Sequence, residues 1–283
     1  MIRARSRPVG CHVFVSGGLR RAPERALERG ADVVQIFPSN PRGWAIPNPD
    51  RAEEDALRER LDELGFPLFL HAPYLVNVAA RDTAVLERSV ENLEFALARG
   101  ARLGARGVVV HTGSSGGDDR AVALTRASAS LLHLLDRVEG CNLLVELTAG
   151  SGNLLASTVE EIAELLAASD DHPRVRVCID TCHLFAAGLD ISEPAARRTL
   201  RAQLRDLDPA RVALVHVNDS RDPVGSRRDR HARIGLGEIG IDALAAVVRL
   251  PELAHAPLVI ETPGDAAEQR DDLALLRRVA TAC

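Results

Sequence analysis

The chain has 283 residues, 46% of them hydrophobic and 27% charged, which is ordinary for a globular protein, and it contains no stretch near the roughly 20 apolar residues of a membrane span. Its 35 basic residues are all arginine, which excludes Schiff-base, P-loop and lysine-base chemistry. The formal net charge of −5 argues against a nucleic-acid partner unless bound cations offset it, because phosphate neutralisation supplies most of that affinity.

Short apolar runs alternate with longer amphipathic segments along the chain, which is the pattern of repeated βα units and a parallel sheet. Most of the apolar runs are rich in Val, Leu and Ile, as expected of strands buried on both faces. The predicted strands are Gly10–Val15, Val33–Phe37, Pro67–Leu70, Gly107–Val110, Asn142–Val145, Val175–Ile179, Val212–Val215 and Pro257–Ile260. The clearest predicted helices are Arg51–Leu64, Asp82–Leu103, Arg120–Val138, Thr158–Ala168, Ala195–Leu207 and Ile241–Leu250.

Several predicted helices begin at a capping residue. Asp82 is one such N-cap, and Ser157 is predicted to form a capping box with Glu160 three residues later. No Pro/Gly/Ser linker or shift in composition divides the chain. We therefore predict an α/β protein with one domain over residues 1–283, a single (β/α)8 TIM barrel.

The third to the eighth predicted strands are each followed directly by a residue type that binds metals. These residues are His71, His111, Glu146, Asp180, His216 and Glu261. In this type of barrel the C-terminal ends of the strands meet at one face, which we call the mouth. Each residue alone is more often a hydrogen-bonded histidine or a loop carboxylate. Together they predict a cation site, because clustered carboxylates repel one another when no cation is bound.

Three more candidate ligands lie in the adjoining loops. His183 follows Asp180 by three residues, and Asp229 and His231 lie in the long segment after the seventh strand. Nine ligands exceed the four that one zinc ion takes and suit two or three ions with bridging carboxylates. A set of His, Asp and Glu without thiolate favours zinc or manganese.

The remaining cysteines and histidines are less informative. The five cysteines include no Cys-x-x-Cys pair, and we expect them to be reduced. Cys178 and Cys182 flank Asp180 and are either metal ligands or, more commonly for such residues, small buried hydrophobes. His12 is either a partner of a ligand or a packed polar residue. No function is assigned to the histidines in helices or before strands, which are His133, His172 and His255.

The motifs around the candidate ligands resemble the endonuclease IV family of apurinic/apyrimidinic (AP) endonucleases. The two most specific are Cys178-Ile-Asp-Thr-Cys-His183-Leu-Phe-Ala-Ala-Gly188 and Gly225-Ser-Arg-Arg-Asp-Arg-His231. Shorter matches include His71-Ala-Pro-Tyr-Leu-Val-Asn77, Glu146-Leu-Thr-Ala-Gly150 and His216-Val-Asn218-Asp-Ser220. The sequence departs from the family at Phe14-Val15, where small residues are usual, and at Leu236, where an acidic residue is usual.

The resemblance implies three zinc ions per chain, or manganese at one or more positions. His71 and His111 would hold the first ion, and Glu146 would bridge it to the second. The second ion would also take Asp180, His216 and Glu261, and the third would take His183, Asp229 and His231.

The implied substrate is double-stranded DNA with an abasic site. The implied reaction hydrolyses the phosphodiester 5′ to that site and leaves a 3′-hydroxyl and a 5′-deoxyribose phosphate. Glu261, Glu146 and Asp229 are the candidate catalytic residues. Glu261 either orients the attacking water or serves only as a ligand. We expect a cytoplasmic enzyme that does not bind membranes and has no obligate protein partner.

Two loop segments are candidate DNA contacts. Arg227, Arg228 and Arg230 surround ligands in a Gly-rich loop, where guanidinium groups suit phosphate oxygens, although a solvated charge run is the alternative. The other candidates match family loops that enter the duplex and fill the space of an expelled nucleotide. They are Arg42, Tyr74 and Leu75, while nearby Trp44 is a candidate contact or a loop-packing aromatic.

Two other functions are consistent with parts of the pattern. A metal-dependent sugar isomerase or epimerase could use the same type of barrel, but such enzymes need one or two ions and some use lysine. A noncatalytic binder of damaged DNA would need the DNA loops without a full set of nine ligands.

Overall fold

Eight parallel strands close into a barrel in the computed structural model, which describes residues 7–281. In chain order the barrel strands are β1 (Val9–His12), β2 (Val34–Ile36), β3 (Leu68–His71), β4 (Gly107–Val110), β5 (Asn142–Glu146), β6 (Val175–Asp180), β7 (Val212–His216) and β10 (Leu258–Ile260). Around the barrel they follow the order β1, β10, β7, β6, β5, β4, β3, β2. The predicted TIM barrel is confirmed.

Helices alternate with these strands. They are α1 (Ala22–Glu28), α2 (Arg51–Leu64), α3 (Thr83–Leu103), α4 (Arg120–Arg137), α5 (Val159–Ala168), α6 (Thr181–Ala186), α7 (Pro194–Asp206), α8 (Ile241–Val248) and α9 (Ala266–Thr281). The sequence analysis did not name α1, α6 or α9. Asp82 caps α3 as predicted, since its Oδ1 accepts the amide of Val85 at 3.0 Å. None of the helices in the described ranges has the length and apolar character that crossing a bilayer requires.

The predicted capping box of Ser157 and Glu160 is wrong by one residue. Thr158 is the N-cap of α5, and its Oγ1 accepts the amide of Glu161 at 3.2 Å. The carboxylate of Glu161 in turn accepts the amide of Ser157 at 2.7 Å. Both pairs have the same spacing, so the pattern cannot distinguish them.

Four candidate ligands end a barrel strand, whereas the sequence analysis placed them directly after it. His71, Glu146, Asp180 and His216 are the last residues of β3, β5, β6 and β7. They remain in the sheet because their neighbours continue alongside, as in the pairing of Asp180 with His216. Main-chain hydrogen bonds of the barrel therefore fix their positions.

The candidate ligands of the barrel lie in one layer above an apolar cluster. The cluster consists of Val33, Phe69, Val109, Leu144, Cys178, Leu214 and Val259, all buried. Each of the last six is followed two residues later by a candidate ligand, for example Leu144 by Glu146. Residues two apart on a strand share a face. The ligands therefore form the next layer towards the mouth.

A two-stranded sheet orders the loop that carries His231. It pairs β8 (Asp219–Ser220) with β9 (His231–Ala232). The buried carboxylate of Asp219 accepts main-chain N–H groups from Gly235, Gly237 and Ile239 at 2.9 to 3.1 Å. A side chain at Gly237 would place its Cβ 2.3 Å from the carbonyl oxygen of Ser220, so the loop requires glycine there.

Candidate metal centre

The fully buried carboxylate of Glu146 faces three imidazole rings at the mouth. Its Oε2 lies 2.8 Å from His111 Nε2 and 3.1 Å from His71 Nε2. Its Oε1 lies 2.8 Å from His216 Nδ1. A charge removed from water is stable only when close groups compensate it. The rings, or cations between them and the carboxylate, supply that compensation.

The nine candidate ligands form three groups, and Glu146 belongs to two of them. Within each group the potential ligand atoms all lie within 4.8 Å of one another. The groups are His71, His111 and Glu146; Glu146, Asp180, His216 and Glu261; and His183, Asp229 and His231. The structure thus brings all nine residues together, in the grouping that the family resemblance implies.

Hydrogen bonds to main-chain carbonyls leave ring nitrogens free to bind a cation. His183 Nδ1 lies 2.7 Å from the carbonyl oxygen of Leu147, and His71 Nδ1 lies 2.8 Å from that of Ala72. A carbonyl oxygen only accepts, so each Nδ1 carries the hydrogen and each Nε2 of the neutral ring carries a lone pair. Both lone pairs face carboxylates, which only accept. This donor set fits a metal ion.

The third group contains buried nitrogens without hydrogen-bond partners. His183 Nε2 and His231 Nε2 each lie 3.1 Å from Asp229 Oδ1. Neither nitrogen makes a hydrogen bond to any part of the chain from residue 7 to 281. Buried polar atoms are rarely left unpaired. A cation among these atoms would satisfy all three side chains.

Local structure explains why His183 reaches this group. Asp180 ends β6 and caps α6, since its Oδ1 accepts the amide of His183 at 2.8 Å. The cap places the side chain of His183 one helical turn beyond the strand. One acidic residue thereby belongs to the second group and also orients a member of the third.

Charge coupling shifts the titration of the centre when no metal is bound. Burial raises the pKa of Glu146, but His216 and His111 outweigh it and hold the pKa well below its usual range. Burial lowers the pKa of His231, but Asp229 and Asp180 outweigh it and raise the pKa to about 9. The pKa of His183 is raised well above its usual value despite burial, chiefly by Asp180 and Asp229. Without metal, these carboxylates and imidazoles therefore stabilise each other's charged forms.

The stability of the metal-free protein is expected to fall as pH rises from about 6 to about 10. The raised pKa of His231 means that its stabilising contribution is complete below its unfolded pKa of 6.5 and is lost as pH passes about 9. Metal-loaded protein should show the opposite trend, because protons compete with metal at low pH. Melting temperatures of both forms across this range test the prediction, and a metal-free melting temperature that rises with pH would contradict it.

The family described as "Xylose isomerase-like TIM barrel" matches residues 23–279. The probable endonuclease 4 of Streptomyces coelicolor is 43% identical over 96% of this chain and 95% of its own length. The endonuclease IV structure from Thermus thermophilus is 36% identical, with a TM-score of 0.85 over 96% of this chain and 98% of that one. The chain belongs to the endonuclease IV family. This confirms the resemblance drawn from the motifs and the expectation of an enzyme.

More distant structures share only the fold with this endonuclease IV family member. A D-psicose 3-epimerase is 18% identical, with a TM-score of 0.70 over 97% of this chain and all of its own length. A 3-keto-D-glucoside 4-epimerase from E. coli is also 18% identical, with a TM-score of 0.71. At this level of sequence identity, the similarity shows a shared barrel fold and does not indicate a shared activity.

A cavity of about 740 Å³ opens above the candidate ligands of this endonuclease IV family member. Apolar side chains at its wall remain in contact with solvent: Tyr74 is 58% exposed and Phe14 is 72% exposed. The neighbouring Leu75 is 38% exposed. The amide of Tyr74 donates to the carbonyl oxygen of Pro41 at 3.0 Å, which ties its loop to the one carrying exposed Arg42. These predicted DNA contacts therefore lie on adjoining loops.

The loop aromatic Trp44 is held by α3. The Arg88 guanidinium lies 5.4 Å from the centre of the indole ring, and Asn92 Nδ2 donates to the carbonyl oxygen of Trp44 at 3.3 Å. These contacts favour the loop-packing alternative for Trp44. They also fasten the segment that carries Arg42.

The three arginines predicted to bind phosphate differ in their environments. Arg230 makes a two-pronged ion pair with Asp222, in which Nε donates to Oδ2 at 2.6 Å. Arg228 NH1 lies 3.5 Å from the same carboxylate. Arg227 makes no salt bridge to the described residues, is exposed, and has a left-handed backbone with φ of 55°. Of the three arginines, Arg227 is therefore the one whose charge no described carboxylate offsets.

Sequence reasoning missed Gln35 and Asn218. Asn218 Nδ2 donates to Asp180 Oδ2 at 2.7 Å, and its Oδ1 accepts the amide of Glu261 at 2.8 Å. Gln35 contacts Glu261 and His216. Gln35 could have been found from its position. It follows Val33 by two residues, as each candidate ligand of the barrel follows a residue of the apolar cluster. Asn218 stands in a quoted motif, but its partners are distant in sequence.

The surroundings of Cys178 favour the buried-hydrophobe alternative for this residue. Its side chain belongs to the apolar cluster beneath the ligands. Burial raises the pKa of its thiol to about 12. Cys182 is also buried, and its pKa is raised by burial and by Asp180. Each thiol nevertheless lies near two candidate ligands: Cys178 near Glu146 and His216, and Cys182 near Asp180 and His231.

Proposed function

We propose that this endonuclease hydrolyses the DNA phosphodiester 5′ to an abasic site and leaves a 3′-hydroxyl and a 5′-deoxyribose phosphate. The observation that carries the proposal is the set of three ligand groups at the mouth, two of which share Glu146. Family membership supports it independently. The three groups would hold three zinc ions, or manganese at one or more positions, with the ligand assignment given above.

Bound divalent ions would supply Lewis acidity, which activates water near neutral pH and offsets the charge of the transition state. The protein would direct that chemistry through its carboxylates. Glu261 is 16% exposed at the cavity wall, whereas Glu146 has no exposure. Glu261 can therefore contact the attacking water and orient it. Glu146 would act by fixing the spacing of two groups.

Asp229 would act at the leaving side of the reaction. Its side chain is 45% exposed and is anchored between His183 and His231. Asp229 would thus hold the third ion at the open side of the site, and that ion would offset the charge of the leaving 3′-oxygen. Arg227 on the same loop would pair with a phosphate of the strand.

The exposed apolar side chains of the mouth suit a duplex with a missing base. Tyr74 and Leu75 can fill the space left at an unstacked site, which is the position in DNA that opens at least cost. Bound cations would also offset the net charge of −5 where the phosphates bind. The substrate would then be selected by shape as well as by charge.

An incision assay tests the function directly. Metal-loaded protein is incubated with a duplex containing one abasic site, and the expected products carry a 3′-hydroxyl and a 5′-deoxyribose phosphate. A chelator should abolish cleavage, and the matched duplex without the site should stay intact. Elemental mass spectrometry should find nearly three ions per chain. Full metal loading without incision, but with turnover of a ketose or aldose, would instead favour the sugar isomerase or epimerase.

Tyr74→Ala is expected to raise KM for the abasic duplex about tenfold and to change kcat little. An aromatic ring that stacks on a base contributes about 1 to 3 kcal/mol, and Tyr74 is not a member of any ligand group. Steady-state kinetics separates the two constants. Val122→Ala is the matched control, since Val122 is 53% exposed on α4. Equal effects in the two variants would remove Tyr74 from the DNA interface.

A further inference from the structure

Gln35 is a fully buried residue of β2 whose carboxamide contacts three side chains at the mouth. Gln35 Nε2 lies 2.6 Å from Glu261 Oε1 and 3.0 Å from His12 Nδ1. Gln35 Oε1 lies 2.9 Å from His216 Nε2. All the polar atoms of this amide are therefore engaged with the metal centre or with its neighbour His12.

The carboxylate of Glu261 fixes which way the amide points. A carboxylate only accepts, so the NH2 group of Gln35 must face Glu261. The opposite orientation would place two oxygens 2.6 Å apart without a hydrogen between them. The second N–H then points to His12 Nδ1, which must accept it. The oxygen of the amide is left for His216.

This orientation determines the tautomer of His216. Gln35 Oε1 only accepts, so His216 Nε2 carries the hydrogen, and Nδ1 of the neutral ring carries a lone pair. That lone pair faces three carboxylate oxygens. They are Glu146 Oε1 at 2.8 Å, Glu261 Oε2 at 3.4 Å and Asp180 Oδ2 at 3.9 Å. Four electron-pair donors around one point suit a cation.

The hydrogen bond from Gln35 Nε2 gives the two oxygens of Glu261 different environments. Oε1 is held by the donor of Gln35, while Oε2 lies on the side of His216 and the second ligand group. Rotation of the carboxylate would break the 2.6 Å hydrogen bond. Gln35 therefore links two members of that group, Glu261 and His216.

We propose that Gln35 is a positioning residue, which selects the metal-binding tautomer of His216 and holds Glu261 in place for the ion of the second group. This inference rests on the metal centre of the proposed function. Partners that orient metal-binding histidines commonly account for about 10- to 100-fold in metal affinity or activity. The role of Gln35 therefore extends to metal binding as well as to turnover.

Gln35→Met removes the hydrogen bonds and keeps a side chain of similar length. We expect one of the three ions to bind about 10- to 100-fold more weakly, with the other two unchanged. Titration with zinc against a chromophoric chelator measures this without DNA. On the abasic duplex kcat should fall by a similar factor while KM stays the same.

Gln35→Glu keeps the size and polarity but places a carboxylate against Glu261. The repulsion should weaken the same ion at least as much as Gln35→Met does. This variant retains the shape of the buried side chain and tests the contact with Glu261 through zinc affinity and kcat if Gln35→Met does not fold. Its carboxylate still accepts from His216 Nε2, so the tautomer of His216 should not change. Wild-type zinc affinity and kcat in either folded variant would overturn the proposal.

Nitrogen NMR of the imidazole rings gives a readout that a purely structural role would not move. Zinc-loaded wild-type protein should show a protected Nε2–H for His216. Gln35→Met should lose this protection or show a mixture of tautomers. An unchanged Nε2–H signal in the variant would contradict tautomer selection.

Glu252→Gln serves as the matched stability control. Glu252 is buried and pairs with Arg201 and Arg205 at 2.9 and 2.7 Å, before β10 and away from the mouth. Its loss should lower the melting temperature without changing zinc affinity. If wild-type protein binds three ions but does not incise DNA, the proposed function fails, while the effect of Gln35 on zinc affinity is still decided.

Discussion

Glu146→Gln is expected to reduce bound metal from three ions to about one and to slow incision by at least about 10³-fold, which corresponds to about 4 kcal/mol. Glu146 belongs to two of the three ligand groups. A carboxamide has one oxygen that accepts and a nitrogen without a lone pair, so it cannot serve two ions at once. The group of His183, Asp229 and His231 does not include Glu146 and should keep its ion.

Elemental analysis and single-turnover incision measure the two effects. The variant should also be less stable without metal, because three rings lose the charge that compensates them. Removing one partner of a buried ion pair costs about 3 to 5 kcal/mol. Glu252→Gln is again the control for a lost buried carboxylate. A Glu146→Gln protein that retains three ions would show that Glu146 is not a bridge.

The barrel and its ligand layer could be predicted because each depends on simple repetition. A buried strand such as Val175–Asp180 is a short apolar run, and parallel strands place their C-terminal ends at one mouth. A polar residue at the end of such a run therefore has a known location. This is why His71, Glu146 and Glu261 could be placed together from the sequence.

The contacts between side chains could not be predicted, because they depend on atoms that meet from distant elements. Gln35 interrupts an apolar run, which marks it as unusual, but its partners His216 and Glu261 are 181 and 226 residues away. The pairing of Arg230 with Asp222 is similar. A run of arginines predicts positive charge, yet the neighbour that offsets it depends on how the loop folds.

Local signals fail when two readings have equal spacing. Ser157 with Glu160 and Thr158 with Glu161 both fit a capping box. Which residue caps α5 depends on where the loop after β5 ends and the helix begins. Asp219 is another example. Its motif predicts nothing about the loop, whereas its buried carboxylate organises the main chain around Gly237.

Glu261→Gln is expected to retain most of its metal and to lower kcat by about 10²- to 10⁴-fold, the range usual for loss of a group that moves or orients a proton. Glu146, Asp180 and His216 remain in the second ligand group and keep the ion bound. What the variant loses is the charged oxygen at the cavity wall, since Glu261 is the exposed member of that group.

Whether Glu261 is only a ligand or also an orienting residue can be decided by comparing the loss of metal affinity with the loss of kcat. If Glu261 only binds metal, ion affinity and kcat should fall together, and excess zinc should restore the rate. If it orients the attacking water, the rate should stay low at saturating zinc with KM for the abasic duplex unchanged. Wild-type kcat would remove Glu261 from the mechanism. The anchored position of its Oε1, 2.6 Å from Gln35, favours the orienting role, because a carboxylate that directs water must itself be prevented from turning.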